Sequence, residues 1–154
     1  MEFGHKVFLA TGKSGLILDC KIADGNPSDS DQYLPMVERQ VEIFGRVPRQ
    51  TSADGGFASK KNVERAKNQG VRDVCFSKRC GLSKEEMTKS VWVFEKLRNC
   101  RAGIEGVIST LKRAFGCFRT TWKGMGGFKA YVQSSVVAYN LTVLARIRLH
   151  DCGG

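Results

Sequence analysis

Histidine is almost missing from this 154-residue chain, and the two that occur, His5 and His150, stand at opposite ends. The six cysteines, Cys20, Cys75, Cys80, Cys100, Cys117 and Cys152, include no C-x-x-C pair. A structural zinc site needs four clustered thiolate or imidazole ligands, so this spacing excludes one. No secretory leader is expected, because Met1 to Lys6 runs straight into a strand-like segment, and free thiols in a reducing cytosol follow from that. Long apolar runs are missing too. The most apolar stretch, Val132 to Leu144, is interrupted by Gln133, Ser134, Ser135, Asn140 and Thr142. It is too polar to span a membrane and suits a buried helix. Acidic residues are in deficit, 15 against 25 Lys plus Arg, for a formal charge of +10. Such a charge suits a polyanionic partner. Nucleic acid comes first, an anionic membrane surface second, and plain solvation is the simple alternative.

What is present suffices for one hydrophobic core: 42% of residues are hydrophobic, and the length fits a single domain over 1–154. His5 to Thr11 reads as a strand, Gly12 to Gly15 as a turn, and Leu16 to Ala23 as the returning strand of a hairpin. After the turn residues Asp24 to Pro27, Ser28 or Asp29 is placed to cap a helix with its side chain. That helix carries Leu34, Val37, Val41 and Phe44 at helical spacing and stops near Gly45. Gln50 to Ala53 is a short strand, Ser59 to Gln69 a basic helix closed by Gly70, and Val71 to Phe76 another strand. Ser77 to Lys89 reads as loop plus a brief helix. Two long helices follow, Val91 to Phe115, with an interruption expected near Asn99, and Gly126 to Ile147. No internal repeat or low-complexity tract occurs. The order β-β-α-β-α-β-α-α predicts a mixed α/β domain with helices covering a sheet.

Two carboxylates stand out. At about 100° per residue, Arg101, Glu105, Ser109 and Lys112 fall in one stripe of a helix. Ile104, Val107, Ile108, Leu111 and Phe115 form the adjoining apolar stripe. Glu105 is therefore expected at the edge of the buried face, partly shielded from water and flanked by two cations. Such a group can ligate a hard divalent ion, and the plain reading is an i,i+4 Arg–Glu pair. Asp54 follows a short strand and precedes Gly55 and Gly56. That puts it at the carboxyl end of a sheet strand, where open α/β sheets bind ligands. The plain reading here is an Asp-Gly turn.

Taken together, several segments resemble the middle and C-terminal part of bacterial insertion-sequence DDE transposases. They are Gly4-His5-Lys6-Val7, Gly15 and Gly25-Asn26-Pro27-Ser28-Asp29-Ser30, then Thr51-Ser52-Ala53-Asp54-Gly55-Gly56-Phe57. Arg101, Glu105 and Lys112 match the Arg-Glu-Lys part of the family's Tyr-Arg-Glu-Lys signature, with Arg98 at the tyrosine position. Arg119, Trp122-Lys123-Gly124 and Tyr139-Asn140-Leu141 are similar to its C-terminal end. The resemblance implies a ribonuclease-H-like fold with a mixed sheet flanked by helices and long C-terminal helices. It implies two-metal phosphoryl transfer, namely DNA strand cleavage and strand transfer at transposon ends, with Mg2+ or Mn2+ as cofactor. Asp54 and Glu105 would be catalytic metal ligands.

DNA contacts would come from Arg101, Lys112, Lys60, Lys61, Arg65, Arg119, Trp122 and Lys123. The family's first catalytic Asp belongs on an opening strand that would precede Met1. The expectation is thus a partial catalytic domain over 1–154 with its first strand missing, inactive by itself. Neither Asp19 nor Asp24 occupies that position, and Asp19 reads as a solvent-facing strand residue. The implied partners are transposon-end and target DNA, with self-association that brings two ends together. No membrane or small-molecule substrate is expected, and the implied location is the bacterial cytoplasm at the nucleoid. A non-catalytic basic DNA-binding remnant, competing with an intact transposase, is the alternative.

Overall fold

The structure is a computed structural model that describes residues 5–78, 81–116 and 124–151. It is α/β, with two small sheets and several helices. The described residues fall into two compact units, one within 1–6 and 23–102, the other within 7–22 and 103–154. A single mixed sheet was expected. Instead the described strands form two separate two-stranded sheets.

In the first unit, α1 (Asp29–Phe44) ends where Gly45 turns into the left-handed region at φ 66°. A glycine accepts that conformation without the Cβ clash that other residues suffer. Ser28 occupies the N-cap position, but its hydroxyl makes no capping bond. It lies 2.9 Å from the Ser30 hydroxyl instead, so the side-chain cap expected of Ser28 is not made. Asp29 is already helical and takes an ion pair from Lys6 at 2.8 Å. Tyr33 and Val37 form the buried face, while Phe44, expected on that stripe, is exposed because it lies at the last turn, beyond the packing surface.

β3 (Gln50–Ala53) pairs in parallel with β4 (Asp73–Phe76), with Ala53 opposite Phe76. Every residue of β4 is buried, as expected for a strand covered on both faces. Between the two strands run a 3-10 turn (Gly55–Phe57) and α2 (Lys60–Asn68). The Ser59 hydroxyl caps α2 by accepting the Asn62 N–H at 3.0 Å. α3 (Lys84–Met87) opens on a capping box in which Ser83 and Glu86 exchange bonds. The core gathers Tyr33, Val37, Val63, Val74, Phe76, Met87, Phe94 and Leu97. The Tyr33 ring meets the Phe76 ring edge-on at 4.9 Å, and its hydroxyl bonds Thr51 on β3 at 2.7 Å. Burial pushes that phenol up to about 12, so it stays neutral and holds α1 to β3 at any ordinary pH. Asp73, fully buried, accepts bonds from Gln50 at 2.8 Å and from the Lys89 N–H at 2.8 Å.

α4 (Val91–Ala114) starts in the first unit and ends in the second without the interruption expected near Asn99. One polar residue on an otherwise apolar-striped helix does not break its hydrogen-bond ladder. In the second unit β1 (Val7–Thr11) and β2 (Ile17–Ile22) form the expected antiparallel hairpin. Val7, Leu9, Cys20 and Ile22 pack with Val107, Leu111, Val132 and Tyr139 in its core. Asp19 corrects the reading of it as solvent-facing. It sits opposite Ala10, two positions from Phe8, and both Asp19 and Phe8 are buried. A two-stranded hairpin can be covered on both faces, and here the Asp19 side is covered too.

α5 (Gly124–Asp151) was expected to be buried over Val132 to Leu144. Only one face is. Val132, Ser135 and Tyr139 are buried, whereas Val137, Leu141 and Leu144 are exposed. Among the described residues no helix is long and apolar enough to cross a membrane.

Candidate active site

Asp54 leaves β3 at its carboxyl end, as the strand-then-glycine pattern predicts. The β3–β4 register, which ends with Ala53 opposite Phe76, sets the residue after each strand beside the other. The Ser77 hydroxyl accordingly donates to Asp54 Oδ1 at 3.0 Å. The Gly55 N–H donates to the same oxygen at 2.6 Å, and the Arg101 guanidinium from α4 stands 3.1 Å from it. Bonds to an ionised carboxylate favour the charged form. The Gly55 bond is the main cause holding the Asp54 carboxyl below its usual range. Partial burial opposes it, and Ser77, Arg101 and Lys78 reinforce it. The carboxylate is therefore ionised, fixed at one oxygen and open to solvent, with the side chain 61% exposed.

Gly55 is required here by space, not by conformation. A Cβ at this position would lie 2.6 Å from the Lys78 side chain and 3.1 Å from the Ser77 hydroxyl. Any larger residue would force the Lys78 side chain to shift and crowd the Ser77 hydroxyl that bonds the carboxylate. Gly56 is likewise crowded, since a Cβ there would meet the Asp29 carboxylate at 2.7 Å. The sequence offers Asp29 only as a helix cap and as part of the Gly-Asn-Pro-Ser-Asp segment, and it does not single out Ser77 or Lys78. The signal for Ser77 was the parallel register, which no local pattern reveals.

Arg101 is brought to Asp54, and its side chain is only 21% exposed. Glu105 and Lys112 belong to the second unit. The apolar stripe expected beside them is confirmed, with Val107 and Leu111 buried and Ile104, Ile108 and Phe115 half-buried. Glu105 itself is exposed, which corrects the expectation that it is partly shielded. The buried arc of the helix stops short of it.

Lys60, Lys61 and Arg65 are exposed on α2, whose inner face carries Asn62, Val63 and Ala66. Lys67 on the same helix donates to the Glu86 carbonyl. Arg119, Trp122 and Lys123 lie outside the described residues.

A hard divalent cation prefers carboxylate oxygen and completes its shell with water and phosphate, so one or two carboxylates suffice for magnesium. Asp54 meets that requirement, being ionised, accessible and pinned by described donors at Oδ1. Among the described residues no three His, Cys, Asp or Glu side chains stand together as a ready-made metal cage. A single ionised, accessible carboxylate can hold such an ion only together with water or other oxygen ligands.

Comparison with curated proteins and with solved structures gives no match. A family model described as the transposase DDE domain matches residues 2–141, nearly the whole chain. The chain belongs to the DDE transposase domain family.

Proposed function

We propose that this chain supplies the second and third carboxylates, Asp54 and Glu105, of a DDE catalytic site in the Tyr-Arg-Glu-Lys signature group, on a ribonuclease-H-like scaffold. The observation that carries the reading is the Asp54 carboxylate, ionised and open at the carboxyl end of a parallel strand, with Ser77 and Arg101 aimed at it. The family match supports it. Asp54 and Glu105 would hold magnesium or manganese, and a bound pair of such ions stabilises the attacking and leaving oxygens in displacement at phosphorus. The chain's own residues orient the substrate. Lys112 and Arg101 would grip phosphates beside the reacting bond. Lys60, Lys61 and Arg65 would hold the DNA backbone further along, with Arg119, Lys123 and a stacking Trp122 after them. The substrate is DNA at transposon ends and at the target, in an assembly that joins two ends, within the bacterial nucleoid. Both units belong, in this reading, to one catalytic domain.

In this reading neither Asp19 nor Asp24 serves as the first catalytic Asp, so the purified chain is expected not to nick supercoiled plasmid with magnesium. Nicking that Asp54→Ala abolishes would overturn that expectation. DNA binding by itself is the second reading, favoured by the exposed cations of α2 and the charge of +10. Both readings require affinity for duplex DNA that falls steeply with salt, through counterion release. Salt-independent binding would contradict both. Asp54→Asn separates them. It alters magnesium-dependent DNA binding if the carboxylate holds an ion, and leaves it unchanged if the chain only clamps phosphates.

A further inference from the structure

Asp54 already has a cation. The Arg101 guanidinium shares Oδ1 with the Gly55 N–H and the Ser77 hydroxyl. Two features set this pair apart from an ordinary surface ion pair. Arg101 is well covered while its partner is mostly open, so a largely buried positive charge meets an exposed carboxylate. The carboxylate is also fixed independently of Arg101, by the bond from its own neighbour Gly55 and by the strand register that brings Ser77 alongside. It would keep its place if the guanidinium left. A doubly charged ion on this carboxylate and the guanidinium repel each other, and at contact distance salt screens little of that repulsion.

Resting on the reading of Asp54 as a metal ligand, we propose that Arg101 is a placeholder cation. It neutralises Asp54 before a divalent ion arrives, gives up the carboxylate to that ion, and turns its guanidinium to a phosphate oxygen. Arginine suits both positions, because it stays charged at any pH and its planar fork matches carboxylate and phosphate alike. Metal binding and phosphate binding are thereby linked through one side chain, and such linkage is reciprocal. Each ligand tightens the other.

The test is Mn2+ binding to the whole chain, read by electron paramagnetic resonance of the free ion, first without DNA. Arg101→Gln is expected to bind Mn2+ more tightly than the parent chain, by about fivefold or more. Lys13→Gln, which removes one charge from an exposed turn, is expected to leave the affinity unchanged. A short DNA duplex is expected to tighten Mn2+ binding in the parent chain and not in Arg101→Gln. If Arg101→Gln does not unfold cooperatively, Arg101→Lys carries the test. It keeps the charge but loses the fork, and binding tighter than the parent's is expected.

Unchanged or weaker Mn2+ binding in the Arg101 variants, with binding still lost in Asp54→Asn, overturns the placeholder role and leaves Arg101 as a positioning residue. Binding that survives Asp54→Asn instead overturns the metal-ligand reading itself, and the placeholder with it.

Discussion

The unit around β3 and β4 fixes its polar groups through strand register, whereas the unit around the hairpin and α5 fixes them through clamps from one helix. In the first, Asp54 and Asp73 stand at strand ends, and each takes bonds from residues that the parallel pairing brings alongside. In the second, Asn140 on α5 accepts the Ile17 N–H at 2.9 Å and donates to its carbonyl at 2.8 Å. Tyr139 donates to the Gly15 carbonyl at 3.2 Å. Tyr131 reaches the Phe115 and Gly116 carbonyls at the end of α4, at 3.3 and 3.2 Å. These are backbone groups that a hairpin edge and a helix terminus leave without ladder partners. The two proposed carboxylates differ accordingly. Asp54 accepts bonds from Gly55 and Ser77 at the end of β3, and Glu105 is an exposed residue of α4.

The largest losses of stability are expected in the two cores. Phe76→Ala is expected to cost about 3–5 kcal/mol in denaturant unfolding, and Leu111→Ala about 2–5 kcal/mol, since both side chains are fully buried. A cost below about 1 kcal/mol at either would mean that the core there is not packed as described. Next comes the clamp. Asn140→Ala strips both partners from the Ile17 backbone and should cost about 1–3 kcal/mol, while Thr142→Ala, on an exposed turn of the same helix, should cost far less.

A smaller effect is expected at Asp73, where the sign follows from its environment. Burial alone would raise its pKa, but the bonds from Gln50 and the Lys89 N–H outweigh burial and hold it below the usual carboxylate value. The stability this brings is present above the ordinary Asp pKa, about 3.9, and is lost as pH falls through the lower folded value. Asp73→Asn should flatten the acid limb of a stability-against-pH curve below about pH 4. The smallest effect is expected at Asp54→Asn, within about 0.5 kcal/mol, because that side chain is mostly exposed and serves the site.

Local chemistry made much of this legible. Gly45 and Gly70 mark where α1 and α2 stop, and the apolar spacing of Val107 and Leu111 gives the inner face of α4. The turn after Asp54 falls where the strand-then-glycine pattern puts it, although Gly55 and Gly56 are needed there for space. Long-range pairing was not legible. Ser77 beside Asp54 depends on the register of two strands separated by α2, and Asp19 is buried because both faces of the hairpin are covered. Ser28 fails as a cap because its hydroxyl finds Ser30 first, a choice between two near-equal local bonds. Two separate sheets in place of one reflect which strand edges pair, and alternation within a strand carries no information on that.

The central proposal, that Asp54 and Glu105 are both metal ligands, is tested most directly by loading the chain with Fe2+ in place of magnesium. Ascorbate and peroxide then make the bound iron cut the polypeptide beside its own ligands. The account predicts cuts next to both Asp54 and Glu105, and loss of both sets in Asp54→Asn and in Glu105→Gln alike. Cuts at only one of the two positions, or cuts that persist in either variant, would contradict it.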